Sequence, residues 1–133
     1  MNTVRYTFLV FSVCMAALTQ GQINVKPLIS GQLPLKTNKN VPITINLGDL
    51  IVVDPDDVYP KGFTLKLYAG NNFSFLGTTV APNNNFVGTL TVPVTVNDGQ
   101  DDSKKFDLKI DVLNASVPPV ITGQDKLSTN EDQ

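Results

Sequence analysis

The chain has no histidine, no tryptophan and a single cysteine among its 133 residues. Each absence closes a class of chemistry. Without histidine there is no Ser-His-Asp or Cys-His arrangement, and zinc loses its usual ligands. The one cysteine, Cys14, lies inside an N-terminal apolar run. The rest of the chain therefore has no thiolate and no disulfide, and a domain of about 90 residues can fold without such staples. Ten Lys and Arg face twelve Asp and Glu, for a formal charge of −2. A mildly acidic chain with no basic stripe gives a phosphate backbone nothing to hold, so nucleic acid is not an expected partner. Past the N-terminal run, no apolar stretch approaches the ~20 residues of a membrane-spanning helix.

Residues 1–21 read as an export signal. Arg5 supplies the positive start, Thr7 to Leu18 an apolar core too short to span a bilayer, and Ala17, Thr19 and Gly21 the small residues that follow. Cleavage is expected between Thr19 and Gln22, and the protein is expected to be secreted or held at the cell surface. Val13 precedes Cys14, where a lipoprotein signal uses a small residue.

The segment PLISGQLPLKTNKNV at 27–41 returns as PVITGQDKLSTNEDQ at 119–133. Seven of the fifteen positions are identical, against roughly one expected by chance. The spacing of 92 residues exceeds the ~20–50 of a solenoid unit and suits a complete small domain. The expected organisation is one domain over 23–115, then a linker and the first strand of a second repeat over 116–133. Val117-Pro118-Pro119 marks the junction, and its paired prolines make a stiff, extended connection.

From Val41 onward a period of two dominates. Ile43, Ile45 and Leu47 alternate with polar residues, as do Phe63, Leu65 and Leu67, then Leu90 to Val96, then Phe106 to Val112. Such strands place one face in a core and the other in water. Asp54-Pro55-Asp56-Asp57, Ala69-Gly70-Asn71-Asn72, Pro82-Asn83-Asn84-Asn85 and Asn97-Asp98-Gly99 supply turns between them. No stretch keeps a 3.6-residue period. The pattern predicts an all-β, antiparallel sandwich. Pro93 cannot donate to a ladder, so its side of the strand is expected at an edge or bulge.

The stretches IVVDPDDVYPKGFTLKL, NNNFVGTLTVPVTVNDG, SKKFDLKIDVLN and PPVITGQDKLSTNEDQ resemble the cadherin-like tandem repeats of large bacterial surface and secreted proteins. The likeness spans about residues 27–133. It implies a Greek-key β-sandwich, cadherin-like or immunoglobulin-like, of about seven strands, with calcium held between successive repeats. Under the resemblance, Asp54 and Asp56 correspond to the acidic turn after the second strand and Asp98 to the acidic residue of the VNDG loop. Glu131 corresponds to a glutamate on the first strand of a repeat. Lys39 stands at that position in the first copy, and the linker from Asn114 to Pro118 lacks the family's aspartate, so the junction is short of two acidic ligands.

Calcium takes ~6–8 oxygens, and extracellular modules often bind it at only ~10⁻⁴–10⁻³ M. Asp54, Asp56 and Asp98 supply about half a site. The residues themselves equally suit a type I turn with Pro55 at its second position, and a turn with positive φ at Gly99. Both readings stay open at the level of sequence. A catalytic carboxylate pair among these three aspartates has no accompanying sign of a cleft.

The functional expectation is a non-enzymatic exported module, a rigid spacer whose partners are adjacent repeats and an extracellular protein or polysaccharide. The alternative is an accessory ligand- or carbohydrate-binding module of a secreted enzyme, for which Tyr59, Tyr68, Phe73 and Phe75 are the available aromatics.

Overall fold

The computed structural model describes residues 21–115. The expected signal segment up to Gln20, and the expected linker, second-repeat strand and Glu131 within 116–133, lie outside the described residues. The chain is all-β. Nine strands follow in order: β1 (Leu28–Gln32), β2 (Leu35–Asn38), β3 (Ile43–Thr44), β4 (Leu50–Val53), β5 (Thr64–Leu67), β6 (Phe73–Leu76), β7 (Thr79–Pro82), β8 (Gly88–Asn97) and β9 (Phe106–Leu113). A single 3₁₀ turn at Leu47–Asp49 separates β3 from β4.

The strands form three sheets, ordered β1-β4, β2-β9-β8-β5 and β3-β7-β6. All pairings but one are antiparallel; β2 runs parallel to β9 with Leu35 opposite Ile110. Consecutive strands β1 and β2 thus join different sheets. Leu33 and Pro34 make the crossing, where a residue without an N–H costs no ladder bond.

The alternation read from sequence carries directly into burial. Leu90, Val92, Val94 and Val96 of β8, and Leu108, Ile110 and Val112 of β9, are all buried. Ile29, Leu50, Phe73 and Val80 bring the other two sheets into the same apolar cluster, joined by Leu67 of β5 and by Ile45 and Phe63 from the connections. The run Ile43–Leu47 does not continue as one strand. Asp49 accepts the Asn46 N–H at 2.7 Å, and the Asp49 N–H donates to the Asn46 carbonyl at 3.1 Å. This local closure bends the chain before β4 resumes. Tyr59 braces the bend: its hydroxyl donates to the Leu47 carbonyl, and its ring meets Phe63 edge-on at 5.1 Å.

Pro93 lies on β8, which has a neighbour on each side. The β5 ladder ends at Leu67 opposite Val94, one residue before Pro93. The missing N–H therefore falls where β8 becomes a local edge, which is the environment proline requires.

Candidate cation site at the acidic end

Two turns meet at one end of the domain. The first leaves β4 through Asp54-Pro55-Asp56-Asp57. Asp54 Oδ1 accepts the N–H groups of Asp56 and Asp57, both at 3.1 Å, so the aspartate folds the turn around its own carboxylate. The second joins β8 to β9. Asp98 Oδ1 accepts the N–H groups of Gln100 and Asp101, both at 2.7 Å, and Gly99 takes a φ of 106° that a side chain would resist.

Each turn thus spends one carboxylate oxygen on its own backbone and leaves the other. Carboxylate oxygens of Asp54, Asp57 and Asp98 lie within 4.8 Å of one another. Asp54 Oδ2 is shielded from solvent, with no hydrogen-bond partner among the described residues. Asp98 Oδ2 receives the Asn24 side-chain amide at 3.0 Å.

The sequence singled out Asp54, Asp56 and Asp98. The structure brings Asp54 and Asp98 together, with Asp57 as the third member of the group. Asp56 is turned instead toward the chain leading into β1, where its carboxylate accepts the Val25 N–H at 3.1 Å. That leading segment touches both turns. Asn24 also donates to Asp101 at 3.1 Å and accepts from the Gln100 side chain at 3.3 Å, while Lys26 pairs with Asp101 at 3.5 Å. Neither Asp57 nor Asn24 was marked by sequence. Asp57 was visible as the last acid of the DPDD run, and the choice between it and Asp56 is made by the turn geometry.

One carboxyl from each turn, Asp98 and Asp57, is shifted, and the two shifts have opposite signs. The Asp101 N–H bond, helped by those of Gln100 and Asn24, holds the Asp98 carboxyl below its ordinary range against some loss of hydration. Reduced hydration, with the charges of Asp54, Asp56 and Asp98 beside it, pushes Asp57 up. A cluster of hard anionic oxygens that repel one another suits a proton or an oxygen-loving cation such as calcium. Thiolate and imidazole ligands for softer metals are absent from it.

The four candidate platform aromatics do not share a surface role. Tyr59 is committed to Leu47 and Phe63, and Phe73 is buried. Phe75 is partly exposed on β6. Tyr68 has two ammonium groups over its ring, Lys105 at 4.2 Å and Lys66 at 5.3 Å from the ring centre. Among the described residues no helix is long and apolar enough to cross a membrane. Compared with known proteins, the chain matches no family model, no curated protein and no solved structure.

Proposed function

We propose that residues 23–115 are a non-enzymatic spacer domain of an exported multidomain protein, with a weak calcium site at the end where the preceding chain arrives. The observation that carries this reading is the attachment of Asn24, Val25 and Lys26 to both acidic turns. A cation held by Asp54, Asp57 and Asp98 would relieve the repulsion among these carboxylates, and so would hold together the two turns that contact the start of the exported chain. The repeated segment at 119–133 supports a second such unit on the other side.

The reading includes a Greek-key sandwich of the cadherin-like or immunoglobulin-like kind. In support, the chain runs from β3 through the 3₁₀ turn into β4 without leaving the core. Taken as one interrupted strand, this segment joins the two smaller sheets into a layer ordered β6, β7, β3/β4, β1. The opposing layer is β2, β9, β8, β5. Rigidity follows from such a shared core.

The test is thermal melting in millimolar calcium against chelator. A cation at ten times its Kd stabilises by about 1.4 kcal/mol, which raises the melting temperature of a domain this size by roughly 5–10 °C. Asp54→Asn and Asp98→Asn should each abolish most of the rise. A rise that survives both substitutions places the cation elsewhere, and no rise at all removes calcium from the reading.

A further inference from the structure

Beyond Leu67 no strand among the described residues continues the β5 ladder along β8. The Pro93 carbonyl is turned to that side, where it accepts the Tyr68 N–H at 2.9 Å. Backbone groups of an antiparallel strand alternate sides residue by residue, so the N–H and C=O of Thr91 and Thr89 face the same way. Gly70 stands directly against them: a Cβ there would lie 3.1 Å from the Thr91 carbonyl oxygen and 2.7 Å from the Phe73 ring. Only glycine lets the connection after β5 press so close.

Between that connection and the edge of β8 lies a groove of about 350 Å³, lined by Gly70, Asn71, Asn72, Thr89, Thr91 and Pro93. The volume is at the lower end of small-ligand sites, ~300–1,000 Å³. No lining side chain is charged. The Thr91 hydroxyl accepts from Lys109 at 2.6 Å, which leaves its own hydrogen to give. The Thr89 hydroxyl donates to Asp111 at 3.0 Å, which leaves its oxygen to accept. Asn71 and Asn72 each bring an amide donor and a carbonyl acceptor. Pro93 and Gly70 add an apolar floor.

Paired donors and acceptors around a small apolar floor match a ring that carries hydroxyls on its rim and C–H groups on its face. We propose that this groove binds a neutral saccharide, a short stretch of a polysaccharide chain. A peptide strand fits less well. The usable edge is cut short by Pro93 at one end and by Gly88, with φ 133°, at the other, and the 70–72 connection occupies the neighbouring strand position. An anionic sugar would meet Asp107 and Asp111, which sit opposite Pro93 and Thr89 on β9 and outnumber Lys109 opposite Thr91.

The site is separate from the acidic end, so its test does not involve calcium. The protein is run by native affinity electrophoresis through gels containing a soluble β-glucan, a mannan or a xylan, with alginate as the anionic control. Retardation by at least one neutral polymer is expected, weakened about tenfold by Asn71→Ala and by Thr91→Val. Melting curves check that each variant is folded, and Asn71→Ala, on an exposed turn, carries the test if Thr91→Val is not. No retardation by any neutral polymer, retardation by alginate alone, or retardation unchanged in the folded variants would each overturn the proposal.

Discussion

In the paired middle of β8 and β9, Leu90, Val92, Leu108 and Ile110 are at most 1% exposed, and their inward side chains carry no polar atom. A few residues further, where β8 passes into the loop at Asp98, hydrogen bonds and carboxylates take over. The Asp54 and Asp98 side chains there hold backbone N–H groups, and an oxygen of Asp54 has no partner among the described residues. The first region stabilises by excluding water, and any polar intrusion costs it. The second is built from groups that repel one another and that contact the segment leading into β1. One hairpin thus links the water-excluding core to the charged end.

The largest effect should come from the first region. Leu108→Ala removes a fully buried side chain from the centre of the core, and should destabilise the domain by about 3 kcal/mol. The melting temperature should then fall by roughly 15 °C. A fall under about 5 °C would mean that the core relaxes easily and that the contrast with the acidic end is overstated.

Ser103 sits between the two regions. Its hydroxyl accepts the buried Val96 N–H at 3.0 Å and donates to the Lys104 carbonyl at 2.9 Å. The side chain thus stands in for a rung of the ladder where β9 has not yet begun. Ser103→Ala leaves that N–H without an acceptor and should cost about 1–3 kcal/mol. Chemical denaturation measures it, and a neutral result would show that water reaches the site.

The smallest effects belong to the acidic end and depend on pH. The Asp98 carboxyl is held below its ordinary value. Its contribution to stability is present above about pH 4 and is lost as pH falls through the lower folded value. Asp98→Asn should therefore be less stable than the parent near neutrality, and the difference should vanish in acid. Asp57 is pushed up, so its sign is opposite. Charging it costs stability as pH rises through the carboxylate range. Asp57→Asn should melt slightly higher than the parent at neutral pH without calcium, and the gain should disappear in acid. Equal behaviour of the two variants across pH would erase the difference between the two turns.

Much of the first region was legible in the sequence. The alternation in Leu90–Val96 and Phe106–Val112 marked the core faces, and Pro93 correctly announced a local edge. Where the pattern was local, it could be read. It was silent at Leu50–Val53, an unbroken apolar run with no period of two, and it ran Ile43–Leu47 together because the bend depends on one bond from Asn46 to Asp49. The second region was legible only as a list of acids. Asn24 reaches Asp98 across 74 residues of sequence, and no local spacing encodes such a contact. The same is true of the choice between Asp56 and Asp57, which turns on which carboxylate faces the Val25 N–H and which faces Asp98.

Backbone amide shifts followed during a calcium titration test the central claim most directly. The account predicts saturable changes at Asp54, Asp56, Asp57 and Asp98 to Asp101, with secondary changes at Asn24 to Lys26. The amides of Leu90 to Val92 and Leu108 to Ile110 should stay still. No saturable change at the acidic end, or changes centred elsewhere in the domain, would contradict a cation site that joins the two acidic turns.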